Sequence, residues 1–161
     1  MKNDMKKCIF AGTFDPITNG HKEIISKISE MFDEVLVAVC VNRAKSAKFS
    51  ADKRVEMVEK ACAGYKNVKA TYYEGLLVDL MKSENIKYNV RGIRDEADYL
   101  YESRMTLANS EFFPEMVTVY VPCNEKNKFI SSTLVRELMY YGKDVSELVP
   151  QEIADLIKES K

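Results

Sequence analysis

Cys8-Ile9-Phe10-Ala11-Gly12-Thr13-Phe14-Asp15-Pro16-Ile17-Thr18-Asn19-Gly20-His21 reads as a strand, a crowded turn and the start of a helix. The apolar run Cys8 to Ala11 is short and stops at Gly12, as a buried strand does. Beyond the turn, Ile24, Ile25, Ile28, Met31 and Phe32 recur along one face of a helix. The turn itself carries Gly12, Pro16, Gly20 and several small polar residues. Glycine lets the backbone approach a ligand closely, and a helix start offers free N–H groups to an anion. His21, the chain's one histidine, sits at that helix start, where it could donate to a phosphoryl oxygen as charge builds there. A capped helix with an idle, exposed histidine fits the same spacing. The segment is neither GxGxxG nor GxxxxGK[ST], so it is not a standard dinucleotide or Walker turn.

The same alternation continues along the chain. Val35 to Val41 is a β-branched run typical of a central strand. Ser50 can cap a helix whose Val55, Val58 and Cys62 share a face, with Gly64 at its end. Val68 to Tyr73 reads as a strand, Leu77 to Ser83 as a short helix, Ile86 to Val90 as a strand, Ala97 to Phe112 as a helix and Val117 to Val121 as a strand. A helix opening at Ser131 or Ser132 ends near Gly142, and Pro150 suits the first position of a terminal helix carrying Ile153, Leu156 and Ile157. Strands alternating with helices predict an α/β fold. The expectation is a single domain over residues 1–161: a doubly wound, Rossmann-like, five-stranded parallel sheet with C-terminal helices. The linker-like stretches Asn42 to Ser50 and Pro122 to Lys128 both follow strands, where open α/β sheets place their ligands.

Composition narrows the function. The chain has 161 residues, 46% hydrophobic and 30% charged, the balance of a folded globular protein. A net charge of −1 argues against nucleic-acid binding by bulk charge. Val35 to Val41, the longest apolar run, is far short of the roughly 20 residues of a membrane span, and no secretory signal is recognisable. Cys8, Cys40, Cys62 and Cys123 are widely spaced with no CxxC, and read as reduced, buried cysteines of a cytoplasmic protein. With one histidine, a zinc site is not expected.

Three more segments carry candidate chemistry. Asn42-Arg43-Ala44-Lys45-Ser46-Ala47-Lys48 gathers three cations after the second strand, as a phosphate site or as a solvated loop. Arg91-Gly92-Ile93-Arg94 follows the fourth strand, and paired guanidinium groups suit phosphate oxygens. Asp95, Glu96, Asp98 and Glu102 come next; they complement a helix dipole, pair with the arginines or meet a ligand. Phe129-Ile130-Ser131-Ser132-Thr133 opens a further helix with more hydroxyls than one cap requires, a second potential anion cradle. Each segment follows a strand, so all gather on one rim of the sheet. The set lacks a Ser–His–acid triad or an activated cysteine. It suits phosphoryl transfer by positioning and charge stabilisation, without a covalent intermediate.

Thr18-Asn19-Gly20-His21 resembles the (T/H)xGH signature of the nucleotidyltransferase superfamily, and Ile130-Ser131-Ser132-Thr133-Leu134-Val135-Arg136 its ISSTxxR-type motif. Arg91-Gly92-Ile93-Arg94 with Asp98 to Glu102 and Asn109 resembles the bacterial phosphopantetheine adenylyltransferases, over residues 7–158. That likeness implies transfer of the adenylyl group of ATP to 4′-phosphopantetheine, giving dephospho-coenzyme A and pyrophosphate by direct in-line attack. It implies His21, Lys45 and Arg91 as catalytic residues, and Thr13, Lys45, Leu77 and Arg91 around the acceptor. Around ATP it implies Thr13, Phe14, His21, Gly92, Ile93, Arg94, Glu102, Asn127, Lys128, Phe129, Ile130, Ser131, Ser132 and Thr133. Asn127 stands where many relatives carry an aromatic residue. Mg²⁺ arriving with ATP, coenzyme A as a feedback ligand, and a cytoplasmic homohexamer without nucleic-acid or membrane partners complete the expectation. The alternatives are a sister nucleotidyltransferase with another phosphate-bearing acceptor and a non-catalytic nucleotide-binding module.

Overall fold

The structure, a computed structural model, describes residues 5–41 and 46–160. Strands β1 (Lys7–Gly12), β2 (Glu34–Cys40), β3 (Val68–Tyr73), β4 (Tyr88–Ile93) and β5 (Val117–Pro122) form one sheet in the order β3-β2-β1-β4-β5. Every pairing is parallel, as the intervening helices require. The helices are α1 (Asn19–Met31), α2 (Ala51–Cys62), α3 (Leu77–Ser83), α4 (Glu96–Phe112), α5 (Ser132–Tyr140) and α6 (Ala154–Lys158).

Side chains alternate across the strands and so build two separate cores. Cys8, Phe10, Val35, Val37, Val39, Val90 and Val121 face α1, α2, α5 and the C-terminal segment, meeting Ile24, Ile25, Ile28, Met57, Val58, Val135 and Ile153. Ile9, Ala11, Leu36 and Ala38 face the other way, onto Val78, Leu80 and Met81 of α3. The doubly wound arrangement is therefore present. Helix α4 is the exception: it buries no residue, and Leu100, Tyr101, Met105, Leu107 and Phe112 are exposed.

The largest boundary differences from the sequence reading lie in β4 and the terminal helix. Strand β4 begins at Tyr88 and runs through Ile93, so Arg91 and Gly92 lie within it. Ile86 instead closes α3, donating its N–H to the carbonyl of Met81 at 2.8 Å, with its side chain buried. Pairing with β5 continues to Ile93 opposite Pro122, which keeps the basic stretch extended. Pro150 leads a 3₁₀ turn at Gln151–Ile153, and the α-helix starts only at Ala154.

Ile28 and Met31 test this division of α1. Ile28→Ala should lower stability by about 2–5 kcal/mol, because its side chain is fully buried in the larger core. Met31→Ala, at a 56% exposed position, should stay within about 0.5 kcal/mol. Urea unfolding of both variants measures the difference.

Candidate active site

The chain order turns around between β1 and β4, and in such sheets the crevice beyond the strand ends at that point holds the ligand. From β1 the chain passes through Thr13 and Phe14 into the turn. Phe14 takes φ 46°, the left-handed region, and its side chain is only 1% exposed. Its ring packs edge-on against Phe10 at 5.5 Å and His21 at 5.0 Å. Phe14 therefore forms the wall behind His21, and only its backbone can face a nucleotide.

Thr18 is the N-cap of α1, and it and His21 cap each other. The Thr18 hydroxyl accepts from the His21 backbone N–H at 3.4 Å, and the Thr18 N–H donates to His21 Nδ1 at 3.0 Å. Nδ1 also lies 3.1 Å from the Thr18 hydroxyl. A ring nitrogen that accepts a backbone N–H carries no proton, so the neutral ring holds its proton on Nε2. Burial lowers the His21 pKa to about 4, and the positive charges of Arg94 and Arg91 push it the same way. At neutral pH His21 is thus an uncharged Nε2–H donor.

Arg91 and Arg94 are held by carboxylates. Arg91 donates through Nε and Nη2 to Glu102 at 2.6 and 2.7 Å, and through Nη1 to the carbonyl of Ala11 at 2.7 Å. The second proton of each terminal nitrogen stays available to an anion. Arg94 makes the equivalent fork with Asp98 at 2.8 and 3.1 Å. Glu102 and Asp98 thereby aim the guanidinium groups, and Glu102 is the partner of Arg91 before any ligand arrives. Between the arginines, Gly92 packs closely on α1: a Cβ there would come within 3.1 Å of Ile24 Cγ1 and would make that side chain shift. Ile93, half-buried, ends the strand beside it.

The second motif is knitted to the first. Ser131 caps α5, its hydroxyl accepting from the Leu134 N–H at 3.1 Å. Ser132 donates to the carbonyl of Pro16 at 2.8 Å, and Arg136 donates to the carbonyl of Asp15 at 2.6 Å and to Thr133 Oγ1 at 3.2 Å. The three hydroxyls therefore each have a partner within the chain. Ser131 and Thr133 only accept in these contacts, so their hydroxyl protons, together with the α5 N-terminus, remain for an anion. Before it, Ile130 is buried, Phe129 is 63% exposed and Lys128 pairs with Glu125. Asn127 is buried, and its amide donates to Glu23 on α1. Glu23 also accepts from the Asn124 N–H at 2.8 Å and pairs with Lys27 at 2.7 Å. Asn127, which stands where many relatives carry an aromatic residue, fastens its loop to α1.

Thr13 lies half-buried at the end of β1, its carbonyl accepting from Arg54 Nη1 at 2.7 Å. Leu77, half-buried, begins α3. Lys45 lies outside the described residues.

Comparison with known proteins agrees with this geometry. The cytidylyltransferase-like family model matches residues 9–138. Curated phosphopantetheine adenylyltransferases from Finegoldia magna and Helicobacter pylori are 44% and 43% identical to this chain. The alignments cover 95% and 94% of the chain, and 94% and 97% of those proteins. The chain belongs to the phosphopantetheine adenylyltransferase family. A solved structure from Vibrio parahaemolyticus, described as a nicotinate-nucleotide adenylyltransferase, has the same fold. It superposes with a TM-score of 0.71 at 25% identity, over 96% of this chain and 99% of that one.

Within this adenylyltransferase scaffold several supporting residues escaped the sequence reading. Arg54, 4% exposed, reaches from α2 to the carbonyls of Thr13 and Cys40. Asp15, 3% exposed, accepts the N–H groups of Lys48 and Phe49, each at 2.9 Å. Glu23 looks like any solvated helix acid, and Arg54 like a surface cation; neither carries a local signal of its role. Asp15 lies inside the turn between β1 and α1, where a short acid able to accept backbone N–H groups is the available clue.

Thr18→Val removes the hydroxyl half of the cap. It should cost about 0.5–2 kcal/mol of stability and lower turnover, whereas Thr18→Ser should keep both near the parent level. Denaturant unfolding and steady-state turnover of the three proteins check this.

Proposed function

We propose that this protein transfers the adenylyl group of ATP to 4′-phosphopantetheine, giving dephospho-coenzyme A and pyrophosphate. Family membership supports the reaction, and one observation carries the mechanism: His21 is held neutral with its proton on Nε2, between two helix starts and two oriented arginines. An acceptor phosphate oxygen attacks the α-phosphorus of ATP, the new P–O bond forming as the bond to the pyrophosphate oxygen breaks. The His21 Nε2–H donates to a non-bridging α-phosphate oxygen, whose charge grows in the transition state. No proton has to be abstracted, since the acceptor phosphate is already an anion, and a histidine that stays neutral suits a donor better than a base.

In this reading Arg91 and Lys45 hold the acceptor phosphate, with Thr13 and the backbone at Leu77 beside it. ATP lies along Gly92, Ile93 and Arg94, against the N-terminus of α5 and the 127–133 loop. Magnesium enters as part of the substrate. Nucleotide phosphates and water would hold the ion. Coenzyme A, which carries the product's own pantetheine and adenosine, is the expected feedback ligand. We place the enzyme in the cytoplasm, where its four unpaired thiols stay reduced. No described helix is long and apolar enough to cross a membrane. We also propose a homohexamer. The exposed apolar residues of α4 and the neighbouring edge strand β5, with Val117 45% exposed, supply a surface for subunit contacts.

Pyrophosphate release from Mg-ATP with 4′-phosphopantetheine, nicotinamide mononucleotide and glycerol 3-phosphate tests the reading. Release with phosphopantetheine alone is expected. His21→Ala should reduce turnover about 10²–10³-fold with nucleotide binding changed far less. Release with another acceptor instead would move the protein to a sister reaction. Nucleotide binding without release would make it a non-catalytic module.

A further inference from the structure

Asn89 is a buried polar residue with an unmet need. It is 2% exposed, and its Oδ1 has no hydrogen-bond partner. Leaving a buried amide oxygen unpaired is costly, and strand interiors usually place an apolar residue there. Its neighbours on β4 show where it lies. Tyr88 and Val90 pack with the larger core, so alternation turns Asn89 and Arg91 to the opposite face. In register, Asn89 sits between Ile9 on β1 and Thr118 on β5. Ile9 belongs to the small core under α3. Thr118 belongs to a polar contact under α4, where Thr106 Oγ1 reaches Thr118 Oγ1 at 3.2 Å and the Tyr120 hydroxyl at 2.9 Å. Asn89 therefore marks the seam between the apolar cover of α3 and the polar cover of α4. Arg91 stands two residues nearer the strand end, about 6.6 Å along the strand.

We propose that Asn89 is a specificity-determining residue for the acceptor, hydrogen-bonding an amide of its arm. The inference rests on the acceptor reading above. The phosphate is held at the Arg91 end of β4, and the arm then runs along the seam between α3 and α4. A pantetheine arm carries two secondary amides and is otherwise largely aliphatic. An amide side chain answers an amide of the ligand with either a donor or an acceptor. Within the subunit helix α4 buries no residue of its own, so an arm entering beneath it displaces little apolar packing of the chain itself.

Asn89→Leu and Asn89→Thr provide the test. Leu keeps approximate volume and removes hydrogen bonding; Thr keeps a hydroxyl and suits a strand. Asn89→Leu should raise the KM for 4′-phosphopantetheine about tenfold or more, because a ligand amide loses its partner, while the KM for ATP stays within about twofold. Its melting temperature should hold or rise, since an unpaired buried polar group has gone. Asn89→Thr should recover much of the acceptor KM. An unchanged acceptor KM in Asn89→Leu would overturn the proposal, as would an equal rise in both KM values or a rise that Thr does not relieve. A parent protein that releases no pyrophosphate with phosphopantetheine would instead remove the reaction beneath it, so the two failures are distinguishable.

Discussion

The reciprocal cap between Thr18 and His21 is the contact on which the site depends. One pair of residues ends the turn, starts α1 and decides which imidazole nitrogen keeps its proton. Phe14 supports the arrangement from behind, its left-handed backbone turning the ring inward against His21. The turn in turn hangs on three long-range anchors. Arg54 holds the Thr13 carbonyl, Arg136 holds the Asp15 carbonyl and Ser132 holds that of Pro16. A loop over a sheet edge would otherwise be among the least rigid parts of such a fold. Here it is fixed from α2 and from both ends of the α5 first turn.

Charge is handled by the same logic of fixed partners. The chain is almost neutral overall, yet its site must hold several phosphates. Arg91 and Arg94 are each forked onto a carboxylate of α4, Glu102 and Asp98. A free guanidinium loses rotamer freedom on meeting an anion, and a forked one has already lost it. Burial keeps His21 uncharged and the arginines' positive charges add to it, so the cations and the neutral donor have distinct roles in one crevice. The two faces of the sheet divide accordingly. One carries a dry core that stabilises the fold. The other is apolar only under α3 and becomes polar under α4, on the face shared by Arg91 and Asn89.

The sheet was legible because strand and helix periodicity and the β-branched runs all pointed the same way. The β3 and α3 spans read from sequence, Val68 to Tyr73 and Leu77 to Ser83, coincide with those in the structure. Strand β4 was misplaced because Arg91 and Gly92 look like loop residues, while pairing with β5 decides the matter and leaves no local trace. The segments of the site were legible from their residue types after each strand. The direction of individual side chains was not. Phe14 turns into the core, Asn127 turns to Glu23, and the three hydroxyls of 131–133 serve the chain itself. Asn127 and Ser132 depend on partners far away in sequence, Glu23 and the Pro16 carbonyl, which periodicity cannot see, whereas Ser131 and Thr133 meet Leu134 and Arg136 within their own first turn.

The most direct measurement is the ¹⁵N NMR titration of the His21 ring. With a single histidine in the chain, the signals need no assignment by mutation. Above pH 6.5 they should show Nε2 protonated and Nδ1 bare, with the transition to imidazolium displaced down to about 4. A proton on Nδ1, or a titration at the ordinary value near 6.5, would contradict the cap as the source of the neutral Nε2–H donor.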